Sequence, residues 1–446
     1  MLKPKMTKSR KLFSLDGLWM FKLDKHQEGM KNDWHKDIEK PIPIAVPSSY
    51  NDLFTEAWIR DFVGDAWYQK DFYFDSSEPR VVLYFGSVTH RSDVWLNGEH
   101  LGHHEGGFLP FEYDVTEKIF KGKNRITIKV NNELSYHHLP IGKTLVDNHG
   151  ELYHYPQFDF FNYSGIHRSV VLYTTQKTYI KDIHIIPSYQ NEIGYLDFKI
   201  DTTGDDLPIE IQVFDQNLLV GKSSSFHGII EIPKVKLWHP EHPNLYEVHI
   251  HYGKDHYHLS TGIRTIKILD DQILLNDKPI YFKGFGKHDD FEIIGKGFNL
   301  PVMIRDFELL KWIGANSIRT THYPYPEEFY ELCDQYGILV IDEVPAVGMW
   351  KRSMDLQVTG DKPFFQEEGI MTHTLQEHKD QLKELISRDK NHPCVVIWSV
   401  ANEPASDENE SEAYFKEIFE YTRTLDPQQR PIGFVNCGIA PADRCK

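Results

Sequence analysis

Glu403 is the carboxyl in this sequence best placed to act as a general acid or base, and Asn402 stands beside it. Both follow residues 395–400, Val-Val-Ile-Trp-Ser-Val, a nearly unbroken apolar run that reads as a strand buried on both faces, as parallel strands covered by helices are. Pro404 cannot donate to a sheet ladder, so the strand stops and leaves Asn402 and Glu403 at its carboxyl end. In a (β/α) barrel that end carries the chemistry. Glu403 could equally begin the next helix, where an acid suits the positive end of the dipole.

The elements that must position these residues change character along the chain. Residues 14–176 read as many short strands separated by turn chemistry, with strand-like runs at 80–85 and 125–130 and an Asn97-Gly98 hairpin signal, the pattern of a jelly-roll sandwich. Strict alternation at 195–200 and 209–213 continues the β style through an immunoglobulin-like sandwich. Past Gly284, strands at 281–286, 315–320, 338–341, 395–400 and 431–436 alternate with helical patterns at 301–313, 326–336 and 412–424, and with a helix on whose one face lie Leu375, Leu382, Leu385 and Ile386. Residues 348–368 read as an inserted loop. The predicted domains are 1–176, 177–268 and 269–446, giving a multidomain β plus α/β chain: a jelly roll, an immunoglobulin-like sandwich and an incomplete (β/α)8 TIM barrel. A closed barrel has eight strands, and five leave open edges. The barrel therefore either continues in sequence beyond these residues or ends as a destabilised product.

Composition narrows the partners. A net charge of −17 over 446 residues argues against nucleic acid, whose phosphates need clustered Lys and Arg. Aromatic residues at 13% permit sugar stacking without requiring it. Residues 1–19 are basic but lead into no apolar run of secretory length, and no later stretch is long enough to span a bilayer. Cys333, Cys394, Cys437 and Cys445 lack the short paired spacings of a zinc site, and the rest of the chain has no disulfide framework. These features point to a cytoplasmic protein with no membrane association. His103-His104-Glu105 and His137-His138 lack metal-site spacing and are expected in solvated loops.

Two stretches carry a resemblance. Asn316-Ser317-Ile318-Arg319-Thr320-Thr321-His322-Tyr323-Pro324, with Asp334 and the run from Gly337 to Ile341, resembles the first signature of glycoside hydrolase family 2. Asp389-Lys390-Asn391-His392-Pro393-Cys394-Val395-Val396-Ile397-Trp398, ending at Asn402-Glu403, resembles the second. Leu15-Asp16-Gly17-Leu18-Trp19, Ala66-Trp67-Tyr68, the run from Asp159 to Arg168 and Gly284-Phe285-Gly286-Lys287-His288 extend the likeness over the whole sequence, and within the family it is most similar to the bacterial β-glucuronidases.

The resemblance implies a β-glucuronide substrate, no cofactor, no metal and a homotetramer. It implies that Glu403 is the catalytic acid/base, that Asn402 bonds the sugar 2-hydroxyl, and that Asp159 and His322 bind the glycone. Arg319 and His288 line the same pocket. The 348–368 segment is similar to a loop that overhangs the site and selects aglycones. Asn162-Tyr163-Ser164 matches a glycosylation sequon but is expected within the sugar site.

A retaining glycosidase needs two carboxyls about 5 to 5.5 Å apart. Glu403 would supply the proton, which asks for an apolar wall or a second carboxylate beside it. The resemblance puts the nucleophilic Glu on a seventh strand past Lys446, together with the Asn-x-Lys element that grips the substrate carboxylate. Glu343, after the third strand, is expected in a supporting role, and Asp389 lies at the wrong end of its strand. Arg319 could pair with Glu343 or with Glu403. A β-galactosidase of the same family and a non-catalytic carbohydrate-binding remnant are the alternatives.

Overall fold

The computed structural model describes residues 1–351 and 363–436. Its first sandwich sets a six-stranded antiparallel sheet, in the order Ile42–Val46, Gly17–Leu23, Asp65–Phe74, Gly122–Asn131, Arg91–Leu96 and Glu99–Glu105, against a four-stranded one built on Val170–Thr175 and Arg80–Phe85. Residues alternating inward from both sheets, among them Trp19, Phe21, Tyr68, Leu83, Phe85, Ile126, Ile128 and Leu172, form one buried core. The expected Asn97-Gly98 hairpin is present: both residues have positive φ (55° and 83°), the geometry that matches the twist of the flanking strands.

The second sandwich packs a three-stranded sheet, centred on Ile193–Thr203, against a four-stranded one containing Ile209–Asp215 and Tyr246–Tyr252. The alternation read from sequence places its apolar set inside, with Leu196, Phe198, Ile200, Ile209, Ile211 and Val213 all buried in one core.

The third body is a parallel sheet taken in chain order: β1 (Gly284–Lys287), β2 (Ser317–Thr320), β3 (Leu339–Glu343), β4 (Val395–Asn402) and β5 (Ile432–Val435). Helices α1 (Leu300–Trp312), α2 (Glu327–Tyr336), α3 (Leu375–Asp389) and α4 (Asn409–Leu425) alternate with the strands. Asn299 caps α1 by accepting from the Val302 amide, with Pro301 in the first turn, where its missing N–H costs nothing. Gly337 ends α2 in the left-handed conformation (φ 74°), a position glycine occupies without strain. Leu375, Leu382, Leu385 and Ile386 of α3 are all buried, as their spacing predicts.

Among the described residues β1 and β5 are paired on one side only. Tyr281, just before β1, and Trp312, at the end of α1, are 78% and 82% exposed. Part of the 348–368 segment, residues 352–362, lies outside the described residues, as do Cys437 and Cys445. Phe364 and Phe365 from its far end are buried against the barrel. No helix among the described residues is long and apolar enough to cross a membrane.

Two sequence expectations are corrected. His103, His104 and Glu105 belong to the strand Glu99–Glu105 rather than a loop, and Glu105 meets His138, which also accepts from Arg91 at 2.8 Å. The ladder to Arg91–Leu96 holds this polar run extended, overriding its low strand propensity. Asn162 is a buried brace outside the cavity lining: its Oδ1 bonds His90 at 2.6 Å and its Nδ2 donates to the Asn132 carbonyl at 3.1 Å.

Candidate active site

A cavity of about 680 Å³ opens at the carboxyl ends of β1, β2, β4 and β5. Its lining includes all six residues singled out from sequence, namely Asp159, His288, Arg319, His322, Asn402 and Glu403, with Gln157, Lys287, Val347, Trp350 and Val435 among the rest. Parallel strands present consecutive side chains alternately to the barrel interior and to the helices, so residues at strand ends converge here with no local sequence relation.

Glu343 holds the floor together. Its side chain is 0% exposed and accepts from Arg319 Nη1 at 2.9 Å, His322 Nδ1 at 2.7 Å and Ser399 Oγ at 2.7 Å. Its own amide donates to Thr320 Oγ1 at 2.9 Å. A buried carboxylate is tolerable only when so fully matched. Arg319 also donates to Asn402 Oδ1 at 3.0 Å, which turns the amide N–H groups of Asn402 toward the open side. The pairing of Arg319 that sequence left open is therefore with Glu343 and Asn402.

Glu403 stands at the rim, exposed, and makes no side-chain hydrogen bond among the described residues. Its amide donates to the Val435 carbonyl of β5 at 2.8 Å, and the Asn402 amide donates to Ala346 at 3.0 Å. Glu403 has φ 44°, a left-handed backbone costing on the order of 1 kcal/mol for a residue with a Cβ and found preferentially at functional positions.

Asp159 arrives from the first sandwich. Its segment is tied to the loop after β3: Ile141 donates to the Val347 carbonyl at 3.0 Å, and Trp350 Nε1 donates to the Gln157 carbonyl at 2.9 Å. The neighbouring Phe160 ring packs 5.2 Å from His288 and 5.4 Å from Tyr323, and Arg168, buried, bridges the Phe108 and Pro324 carbonyls. Asp159 Oδ1 thereby sits 3.9 Å from His322 Nε2. Asp159, His288 and His322 present ligand atoms within 4.8 Å of one another, a spacing that admits either a cation or a polyhydroxylated ligand.

Sequence reasoning missed the support behind His288. Its Nδ1 lies 3.0 Å from the Tyr323 hydroxyl, and the buried Lys296 ammonium sits 3.5 Å from the Tyr323 ring centroid and 3.5 Å from Asp289. Burial, then Lys296 and His322, hold the His288 imidazole below its usual value, against the opposite pull of Asp290 and Asp159. Lys296→Met removes one depressing charge, so the His288 pKa should rise and the imidazolium should persist to higher pH. The Cε1–H resonance of His288, identified by its disappearance in His288→Gln, reads this directly; an unmoved titration would mean that Lys296 does not act on the ring.

A cavity of this size at the top of a (β/α) barrel, with a carboxyl at its rim and an Arg–Glu–His–Asn network on its floor, is the setting a glycosidase uses. Three family descriptions match nearly the whole chain: the glycosyl hydrolases family 2 sugar binding domain at residues 12–176, glycosyl hydrolases family 2 at 178–264, and its TIM barrel domain at 266–444. The chain belongs to glycosyl hydrolase family 2. It is 42% identical to a β-glucuronidase of Paenibacillus borealis, over all of this chain and 76% of that protein, and 40% identical to the Mus musculus β-glucuronidase, over 99% and 71%. The Ruminococcus gnavus β-glucuronidase superposes with a TM-score of 0.94 at 38% identity, over all of this chain and 75% of that one. The same enzyme has been solved with uronic isofagomine and with D-glucuronic acid, at TM-scores of 0.95 and 0.90.

Proposed function

We propose that this protein hydrolyses β-D-glucuronides with retention, Glu403 acting first as the acid that protonates the departing oxygen and then as the base that activates water. The observation that carries the reading is the convergence of Glu403, Asn402, His322, Arg319, His288 and Asp159 on one cavity in a chain 38–42% identical to β-glucuronidases. Asn402, its Oδ1 engaged by Arg319, offers its amide hydrogens to the sugar 2-hydroxyl. His322 and Asp159 take further glycone hydroxyls, and His288 lines the same subsite with Arg319 behind it.

Two parts of the chemistry come from outside the described residues in this proposal. Glu343 is a poor nucleophile toward an anomeric carbon, because its side chain is 0% exposed and both its oxygens are bound, one by His322 and the other by Arg319 and Ser399. Among the described residues the Arg and Lys side chains lining the cavity each face an acid, Arg319 with Glu343, Lys287 with Asp306 at 2.9 Å, and Lys351 with Glu367, and the substrate carboxylate is assigned to another group. The nucleophile and the carboxylate grip are assigned to further barrel strands. The predicted domain limits of 1–176, 177–268 and 269–446, a homotetramer and a cytoplasmic setting complete the proposal, the last supported by the free buried thiols of Cys333 and Cys394.

Paired aryl β-glucuronide and β-galactoside substrates with one leaving group test the specificity. A higher kcat/KM for the glucuronide is expected, and a preference for the galactoside would overturn it. The full engagement of Glu343 by Arg319, His322 and Ser399 also favours a second reading, a sugar-binding chain without turnover. Tight D-glucuronic acid binding by the 446-residue polypeptide without hydrolysis of either substrate would select that reading.

A further inference from the structure

The hairpin Tyr246–Tyr252 and Asp255–Thr261 in the second sandwich buries one face and turns four histidines outward from the other. His249 lies opposite His258, and His251 opposite His256, so the imidazoles form a two-by-two array. His256 is its centre, with ring centroids 4.5 Å from His251, 5.4 Å from His249 and 5.8 Å from His258.

We infer that this array is a binding site for a borderline transition-metal dication such as Zn²⁺ or Ni²⁺. His249 Nδ1 and His256 Nε2 stand 3.2 Å apart. With metal–nitrogen bonds of about 2.0–2.1 Å, two ligands of a tetrahedral ion are separated by about 3.3–3.4 Å, so this pair already spans one edge of the polyhedron. Rotation of His251 or His258 about its side-chain torsions supplies the third nitrogen, and water completes the shell. His258 Nδ1 is shielded from solvent and has no hydrogen-bond partner among the described residues, which leaves a nitrogen unmet that coordination would use.

The surroundings select the ligand class. Lys8 acts on His249 and His256, Lys5 acts on His258, and Glu247 opposes them at His249 and His258. With one carboxylate and two ammonium groups nearby, a hard oxygen-seeking cation such as Mg²⁺ or Ca²⁺ finds no shell here, whereas neutral imidazoles suit Zn²⁺ and Ni²⁺. The backbone is fixed in advance: the His256 amide donates to Ser9 Oγ at 2.8 Å, and Phe214 packs edge-on 5.3 Å from His249. A bound ion would staple the two strands and the segment carrying Ser9.

Zn²⁺ titration of the 446-residue chain against a chelating dye, beside the double variant His249→Ala/His256→Ala, tests the site. The wild type should bind one more equivalent than the double variant, and His256→Ala alone should weaken that equivalent by about ten-fold or more. His100→Ala, which removes a histidine of the first sandwich paired with Asp93, should bind as wild type. Because the Asp159, His288 and His322 group offers a competing site, the difference between variants is the readout. Circular dichroism confirms that the variants fold, and the Zn²⁺-dependent rise in Tm should be larger in the wild type and His100→Ala than in the double variant. Equal stoichiometry and equal thermal shift in wild type and double variant would remove the site.

Discussion

Glu403→Gln is expected to slow cleavage of a β-glucuronide with an alkyl leaving group by about 10²–10⁴-fold, and cleavage of an activated aryl glucuronide far less. The difference arises because an alkoxide leaves only if it is protonated as the bond breaks, whereas an acidic phenol departs unaided. Glu403 is positioned for this at the end of β4, held by its amide to Val435, with its side chain free in the cavity. The measurement is kcat/KM for a leaving-group series, wild type beside variant, in a form of the enzyme that turns over. A steeper dependence on leaving-group acidity in the variant supports the assignment. Equal loss for alkyl and aryl substrates would assign the proton to another group.

Glu343→Gln should be the most damaging change to the cavity floor. It removes the anion that Arg319 and His322 share and replaces one oxygen with an N–H group facing donors. Leaving Arg319 next to a neutral amide in a site that is 0% exposed at Glu343 should cost about 3–5 kcal/mol of stability. It should also release Arg319 from Asn402 and weaken D-glucuronic acid binding by about ten-fold or more. Urea unfolding and ligand titration read the two effects separately. Arg319→Met in the Glu343→Gln background should recover part of the stability but none of the binding, which a purely structural pair would not predict. Retention of both stability and affinity in Glu343→Gln would show that the floor is held by other contacts.

Residues 395–404 were legible because two signals agree there: an apolar run long enough for a doubly covered strand, and a proline that stops it. The alternation at 195–200 and 209–213 likewise put Leu196, Phe198, Ile200, Ile209, Ile211 and Val213 inside one core. Asn97-Gly98 was legible because few residues tolerate two consecutive positive φ values. Where periodicity is absent the reading failed. The polar run His103-His104-Glu105 carries no strand propensity, and only its ladder partners make it a strand. Asn162 sits three residues from Asp159, yet it turns inward to His90 while Asp159 faces the cavity.

The sequence by itself determined the order of the elements, the buried face of each, and the two motifs that carry the family, because turn chemistry and hydrophobic period act over neighbouring residues. Tertiary structure alone decided which side chains meet. Arg319 chose Glu343 and Asn402 over Glu403 because parallel strand register aligns Arg319 with Ile341, and Glu343 with Ser399, bringing strand ends distant in sequence within hydrogen-bond reach. Lys296 reached His288 through Tyr323, and His249 met His256 across a hairpin diagonal, for the same reason: a hydrogen bond or metal edge is set by distances of about 3 Å, which no one-dimensional spacing encodes.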